Sequence, residues 1–279
     1  MPRPLPRLLL GEVDRPRIFS SKEEKELVAA LSASDPGAVE RMTGHSNLRH
    51  IAGALAGLLY LGVDNAQAEH HLREALTVRW GRLGLLEHGF MAEHFSSAEY
   101  QLVLSYERLG IEVWLAESLD LTPRTLKLAL SLALEGSGDL AQAVEVARDV
   151  ESEFLNKDVV RLVLADQYAQ LGDFEAIVEL TDAVVNRYNY GALLCAYRGM
   201  ALRMLARHGP ALEALREALK TDQRLATIRY AALSERSRVF QASGNLAAAR
   251  RELKRILDEN PSIPAVRERW EALRAPAAD

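Results

Sequence analysis

Histidine and glutamate residues concentrate between positions 69 and 94, and these are the residue types that could hold a metal ion. The chain has seven histidines, and four of them fall in this stretch. They occur in three groups with carboxylates: Glu69-His70-His71, Glu87-His88 and Glu93-His94. The stretch contains neither two histidines four residues apart nor an HExxH motif, which are the usual zinc spacings on a helix. Ordinary surface histidines are the favoured interpretation, and a metal-binding or regulatory site at 69–94 is kept as an alternative.

Motifs for nucleophilic or nucleotide-dependent catalysis are absent from the sequence. We find no P-loop, no GxGxxG, no GxSxG and no Cys/His pair at a catalytic spacing. The single cysteine, Cys195, excludes an internal disulfide. Its helical setting predicts a buried small hydrophobic side chain instead of a reactive thiol. The sequence therefore predicts a protein that is not an enzyme and needs no cofactor.

Composition and charge favour a helical protein whose partner is not nucleic acid. The net charge is −5 and the pI about 5.9, whereas phosphate backbones are bound by clustered cations. One basic run, Arg250-Arg251 with Lys254-Arg255, could meet an acidic partner or nucleic acid, but interleaved acids favour a solvated helix face. Only 6% of the residues are aromatic, while Ala and Leu dominate the apolar 48%. These proportions predict an all-α fold.

Nothing in the sequence predicts insertion into a membrane. The run Leu8-Leu9-Leu10 after the basic, proline-rich start is shorter than the roughly 7–15 apolar residues of a secretory signal. No window approaches the roughly 18 uncharged apolar residues that a spanning helix needs. We therefore expect a soluble, cytoplasmic protein without a membrane partner.

The helices that must position any binding residues recur at a regular interval. Helix-to-helix turns are predicted at Gly138, Gly172, Ala206 and Gly244, which are 34, 34 and 38 residues apart. Small residues fall midway along the helices, where two antiparallel helices can approach closely. In the first helix of each pair they are Ala165, Gly199 and Ser237, and in the second Ala143, Ala211 and Ala249. The bulky residues that fill the gaps are Tyr168, Leu202, Phe240, Leu215 and Leu253.

This pattern resembles the tetratricopeptide repeat, whose period is about 34 residues. The resemblance covers 124–261 well and 48–121 weakly. Three residues depart from the family pattern: Ala147 and Thr181 replace bulky residues, and Ile177 replaces a small one. The resemblance implies a right-handed superhelical solenoid of antiparallel helix pairs, with roughly 12–14 helices.

The predicted organisation has four parts. An extended N-terminal arm covers 1–20. Divergent helical repeats cover 21–121, with an irregular insertion near 77–95 and a helix pair over 98–121. Four tetratricopeptide-like repeats cover 122–261. A capping helix and tail cover 262–279, with Trp270 facing inward and Arg269 on the polar back.

The resemblance implies that the first helices line a concave wall that binds a protein segment. By register, the partner-binding residues of that wall are Leu162, Asp166, Leu193, Ala196, Met200, Arg203, Met204 and Arg238. Family members that capture a C-terminal carboxylate carry Lys, Asn and Arg at such positions, so a carboxylate clamp is not expected here. A wall of Leu, Ala and Met flanked by arginines suits an amphipathic helix or an extended apolar peptide.

We therefore predict a protein-protein interaction module or scaffold. Two alternatives for the wall residues stay open: they pack internally as core, or the N-terminal arm or the 77–95 insertion fills the groove. A structural homo-oligomer is a further alternative for the function.

Overall fold

The computed structural model describes residues 5–13, 20–220 and 225–273. This part of the chain holds fourteen α-helices and three β-strands. The helices are α1 Lys22–Ser32, α2 Pro36–Arg41, α3 Arg49–Tyr60, α4 Asn65–Leu76, α5 Gly89–His94, α6 Pro123–Ser137, α7 Leu140–Glu151, α8 Lys157–Leu171, α9 Phe174–Thr181, α10 Asn189–Met204, α11 His208–Ala218, α12 Ala226–Ala242, α13 Leu246–Glu259 and α14 Pro264–Ala272. The strands are β1 Leu5–Leu10, β2 Ala98–Tyr106 and β3 Val113–Asp120. The predicted all-α class with about 12–14 helices is confirmed.

The chain divides into two compact units. The N-terminal unit contains the described residues of 3–104 and 114–155. The C-terminal unit contains residues 105–113 and the described residues from 156 onward. Residues 105–113 join β2 to β3, and we call them the hairpin tip. Parts of the predicted arm (1–4 and 14–19) and of the predicted tail (274–279) lie outside the described residues.

Helix pairs and a small sheet build the N-terminal unit. Helix α3 packs on α4, α6 packs on α7, and α4 also packs on α6. Strand β1 pairs antiparallel with β2, placing Leu8 opposite Tyr100, and the sheet order is β1-β2-β3. The buried Tyr100 donates a hydrogen bond to the carbonyl of Leu58, 3.2 Å away, which ties the sheet to α3. Residues 77–95 contain a short 3₁₀ turn, Gly84–Leu86, and the six-residue α5.

The predicted helix pair over 98–121 is wrong, because this stretch forms strands β2 and β3. Ala98, Leu102 and Tyr106 are spaced by four residues, so they fit one face of a helix. The same spacing fits a strand, and the intervening Tyr100 and Leu104 complete a period of two. All five side chains are buried, while Glu99 between them is exposed. The pattern that the helical interpretation overlooked is therefore the period of two in the buried side chains over 98–104.

Three successive helix pairs and a final helix build most of the C-terminal unit. The pairs are α8 with α9, α10 with α11 and α12 with α13, and α14 packs on α13. Helix α10 packs against both α8 and α12, so the first helices are neighbours. The turns predicted at 172, 206 and 244 all have positive φ, between 58° and 78°, and so does the turn at Gly138 of the N-terminal unit, at 93°. Left-handed backbone at these residues ends each first helix, as in other helical hairpins.

Close helix approach occurs where the small residues predicted it. A Cβ added to Gly199 on α10 would lie 2.5 Å from Cγ of Leu215 on α11, so a side chain at 199 is sterically excluded. Ala211 of α11 is fully buried, as is Ala249 of α13. The small residues at 199, 211 and 249 therefore let the two helices of each pair approach closely.

One prediction for the last helix is wrong. Arg269 of α14 does not lie on a solvated back: its Nη1 donates to Oγ of Ser234 on α12 at 2.9 Å, and the side chain is half-buried. Val266 is the buried apolar residue of α14, whereas Trp270 is only partly buried. The guanidinium of Arg269 lies against α12 because that helix carries its polar neighbours, Ser234 and Glu235. None of the described helices has the length and apolar content needed to cross a bilayer.

Candidate functional site

The predicted wall residues all lie on α8, α10 and α12, within the C-terminal unit. We call the side chains of these three helices that surround the hairpin tip the inner wall. Five of the eight predicted residues are at most 5% exposed: Leu162, Asp166, Leu193, Ala196 and Met200. Arg203 and Arg238 are partly exposed, and Met204 at the end of α10 is 49% exposed. Except for Met204, the apolar part of the predicted wall is therefore buried.

The hairpin tip occupies the inner wall. Its turn is closed by a hydrogen bond of 2.8 Å from the amide of Gly110 to the carbonyl of Glu107, and Gly110 has φ +78°. Leu109, Ile111 and Val113 of the tip are buried, at 7% exposure or less. An atom in the Cβ position of Gly110 would meet the guanidinium of Arg238 and lie 3.4 Å from Oγ of Ser234. Among the described residues, the segment that fills the groove comes from 105–113, which neither alternative named; parts of the N-terminal arm (1–4 and 14–19) lie outside the described residues.

Asp166 is the centre of the polar contacts between tip and wall. Its Oδ1 accepts hydrogen bonds from Nε of Arg108, at 2.8 Å, and from the hydroxyl of Tyr197, at 2.7 Å. Its Oδ2 accepts from Nε2 of Gln170, at 3.1 Å. The side chain of Asp166 is 1% exposed, so its charge depends on these donors for the stabilisation that water would otherwise provide. Arg108 is the cationic partner, and it belongs to the tip.

Aromatic packing reinforces this contact. The rings of Tyr106 at the end of β2 and Tyr197 on α10 meet edge to face, with centroids 6.2 Å apart. Burial raises the pKa of the Tyr197 hydroxyl well above its ordinary value, and the nearby charge of Asp166 adds to the effect. Tyr197 therefore stays neutral and donates a hydrogen bond to Asp166.

A second buried carboxylate, Glu235 of α12, gathers arginines from three helices. It is fully buried and accepts hydrogen bonds from Nε of Arg203 and, at 3.0 Å, from Nη1 of Arg238. Nη1 of Arg238 also donates to the carbonyl of Arg108 at 3.2 Å, which links this group to the tip. Burial, followed by repulsion from Arg238, lowers the pKa of the nearby Arg269 to about 10, although Glu235 opposes the shift. The group holds more positive than negative charge, which favours a backbone carbonyl as a neighbour.

The geometry can hold a polypeptide segment by three kinds of contact. The buried carboxylate of Asp166 pairs with a cation, and Arg238 donates a hydrogen bond to a backbone carbonyl. Aromatic and aliphatic side chains contact the rest of the segment. These contacts recognise a turn with a basic residue, because each of them is satisfied by Arg108 and its neighbours.

The sequence pattern did not predict that Arg108, Glu235 and Arg269 belong to this site. Arg108 lay in a predicted interhelical turn, and only the alternation in 98–106 indicated a hairpin whose tip could reach a wall. Glu235 stands three residues before the predicted wall residue Arg238, a spacing that puts both on one face of α12. A glutamate in a helix is normally exposed to solvent, so nothing in the sequence predicts that Glu235 is buried.

The histidine stretch forms a smaller group within the N-terminal unit. Ligand atoms of His70, His71 and Glu74 on α4 lie within 4.8 Å of one another. The His71 side chain is buried, stacks on Tyr60 with centroids 5.9 Å apart, and has no hydrogen-bond partner at either ring nitrogen. The carboxylate of Glu74 is also paired with Arg49 at 2.9 Å, which competes with any metal. His88 and His94 are not members of this group.

Cys195 is buried on α10 at 6% exposure. This burial agrees with the small buried side chain that the sequence predicted.

Comparison with known proteins identifies the fold. No protein-family model matches the chain, and no curated protein sequence matches it significantly. Among solved structures, the N-terminal domain of the EccA1 ATPase from the ESX-1 secretion system of Mycobacterium tuberculosis superposes with a TM-score of 0.60 at 15% identity, covering 91% of this chain and 88% of that one. BtubC (BKLC) from P. vanneervenii superposes with a TM-score of 0.52 at 14% identity, covering 93% and 96%. At these identities the likeness concerns the fold alone, and the fold is a tetratricopeptide-like α-solenoid.

Proposed function

We propose that this protein is a non-enzymatic interaction scaffold whose inner wall binds a segment of a partner protein in place of its own hairpin tip. The observation that carries the proposal is the docked tip, in which Arg108 of one segment reaches the buried Asp166 of another at 2.8 Å. A surface that receives one polypeptide turn has the donors, acceptors and apolar contacts to receive a second of similar chemistry.

The same contacts specify the kind of segment. It carries an arginine or lysine for Asp166, a free backbone carbonyl for Arg238, and an apolar residue on each side, as Tyr106 and Leu109 stand beside Arg108. Arginine is favoured over lysine because its planar guanidinium donates along fixed directions. A partner must compete with a tethered tip, so its apparent affinity is its intrinsic affinity multiplied by the fraction of the protein in which the tip is undocked.

The test uses a variant in which residues 107–112 are replaced by Asn-Gly, a two-residue hairpin turn that is too short to reach the wall. A cyclic peptide with the sequence of residues 103–115 is then added, and binding is measured by calorimetry. We expect binding to the shortened variant and at least about ten-fold weaker binding to the unmodified chain, whose tip competes.

A matched peptide with glutamate in place of Arg108 is the control. It keeps the length, the turn and the apolar residues but presents the wrong charge to Asp166, so we expect no measurable binding. Equal binding of both peptides, or no binding of either by a shortened variant that keeps its helical circular dichroism, would contradict the proposal.

A second candidate function rests on the histidine group of α4. His71 is 4% exposed and leaves both ring nitrogens without a hydrogen-bond partner, next to donor atoms of His70 and Glu74. We propose a regulatory divalent-metal site of modest affinity, since Arg49 competes for Glu74. Calorimetric titration of zinc into the protein and into a His70→Gln variant tests it: equal heats from both proteins would rule the site out.

A further inference from the structure

A groove between α13 and α14 lies apart from the inner wall. It has a volume of about 550 Å³ and is lined by Ala247, Arg250, Arg251, Lys254 and Trp270. We call it the terminal groove. Three of its five lining residues are cations, and the fourth large side chain is an indole.

The charges of the terminal groove are incompletely matched within the protein. Lys254 pairs with Asp258 on the same helix at 2.7 Å. In the described part of the chain, neither Arg250 nor Arg251 has a carboxylate within ion-pair distance. The Nε of Arg250 is shielded from solvent and has no hydrogen-bond acceptor. Two guanidinium groups, one of them with a shielded Nε, therefore line the groove without an acceptor among the described residues.

The nearby Arg255 differs from these two residues. It lies one helical turn beyond Arg251 on the same helix, is similarly placed toward solvent, and pairs with Glu252 at 3.3 Å. Glu252 thus pairs with this cation outside the groove, as Asp258 pairs with Lys254 inside it. The unmatched positive charge is that of Arg250 and Arg251, which line the terminal groove.

We propose that the terminal groove is a docking surface for an acidic peptide segment that carries an apolar or aromatic side chain. Carboxylates of the segment pair with Arg250 and Arg251, and its apolar side chain packs on Trp270. Arginine and tryptophan are the residues that most often dominate the binding energy of such surfaces. This surface is separate from the inner wall, so the proposal stands independently of the function proposed above.

A peptide is favoured over nucleic acid by the number and distribution of the charges. A phosphate backbone is typically held by some 6–10 cationic contacts, whereas the groove offers three. The chain as a whole carries a net charge of −5, which repels a polyanion longer than the groove. A short segment with a few carboxylates meets only the local positive charge.

The experiment titrates the full chain with an acetylated and amidated peptide of sequence Glu-Glu-Leu-Phe-Glu-Glu, followed by calorimetry and tryptophan fluorescence. The variant is Arg251→Glu, and the matched control is Arg255→Glu, which changes the net charge equally on the same exposed helix. We expect Arg251→Glu to weaken binding about ten-fold or more and Arg255→Glu about two-fold or less, with unchanged circular dichroism for both.

Three results would overturn the proposal: no binding to the unmodified chain, equal weakening by the two substitutions, or tighter binding of a single-stranded oligonucleotide that Arg251→Glu abolishes. A Trp270→Leu variant gives a second readout. It should lose affinity for this peptide but not for a matched peptide with serine in place of leucine and phenylalanine, and equal losses for both peptides would show that Trp270 makes no apolar contact.

Discussion

The guanidinium of Arg108 lies 2.8 Å from the carboxylate of Asp166, although the two residues are 58 positions apart and belong to a hairpin and to a helix. Asp166 is 1% exposed, so Arg108 is the cation that makes its burial tolerable. This pair places the hairpin tip on the inner wall, where the sequence pattern predicts that a partner binds. The chain therefore carries its own occupant of the inner wall.

Gly110→Ala tests the contact between tip and wall without altering a charge. Gly110 has φ +78°, and an added Cβ would meet the guanidinium of Arg238. We expect a loss of about 2–3 kcal/mol in the free energy of unfolding, of which about 1–2 comes from the left-handed backbone. Urea denaturation measures it.

Gly244→Ala is the matched control. Gly244 has the same φ of +78°, but no atom lies within 4 Å of its added Cβ. Gly244→Ala should therefore lower the free energy of unfolding only by the backbone contribution of about 1–2 kcal/mol. Equal losses for the two variants would mean that Gly110 makes no close contact with Arg238.

Gly199→Ala tests the close crossing of α10 and α11. Its Cβ would lie 2.5 Å from Cγ of Leu215, so the helices must separate and we expect a loss of about 1–3 kcal/mol. Gly209→Ala, on α11 with open space around the added Cβ, should instead stabilise the protein by up to about 1 kcal/mol. A neutral Gly199→Ala in thermal denaturation would show that the crossing is looser than described.

Tyr60 gives the protein a pH dependence in the alkaline range. Its hydroxyl donates to Oε2 of Glu40 at 2.5 Å, and this hydrogen bond, with burial, raises the pKa of Tyr60 to about 12. Above pH about 10 the unfolded chain loses this proton while the folded chain keeps it, so stability falls from pH about 10 to about 12. The contribution of Tyr60 is fully present below that range.

Tyr60→Phe should flatten this decline, because the variant has no proton to lose. Melting temperatures at pH about 9 and about 11.5 measure the difference. Tyr188→Phe, which removes a 74% exposed phenol, is the control and should keep the original decline. An unchanged slope in Tyr60→Phe would show that the Glu40 contact does not hold the proton.

The helix pairs from 124 onward could be predicted because each repeat contains residues whose own properties mark its turn or its helix crossing. Gly172 and Gly244 mark turns, and Gly199 marks a crossing, through properties of single residues. The hairpin was harder, since Ala98, Leu102 and Tyr106 satisfy a helical and a strand period at once. There, only the intervening Tyr100 and Leu104 distinguish the two structures.

The occupant of the wall could not be predicted, because it depends on contacts between distant segments. Asp166 and Met200 were identified as wall residues by register, and the structure buries both. Nothing in the local pattern around Arg108 connects it to Asp166. The buried Glu235 is paired with Arg203 of the neighbouring helix α10 as well as with Arg238 of its own helix. That these residues bind a partner stays a prediction, and the titration with the cyclic peptide tests it.

A double-mutant cycle on Arg108 and Asp166 tests the docked tip most directly. Arg108→Ala, Asp166→Asn and the double variant are compared by urea denaturation with the unmodified chain. We predict that Arg108→Ala alone costs about 2–3 kcal/mol, because it leaves a buried carboxylate without its cation, and that the coupling energy is at least about 1.5 kcal/mol. Single losses that add to within about 0.3 kcal/mol would contradict the account, since residues that do not touch do not couple.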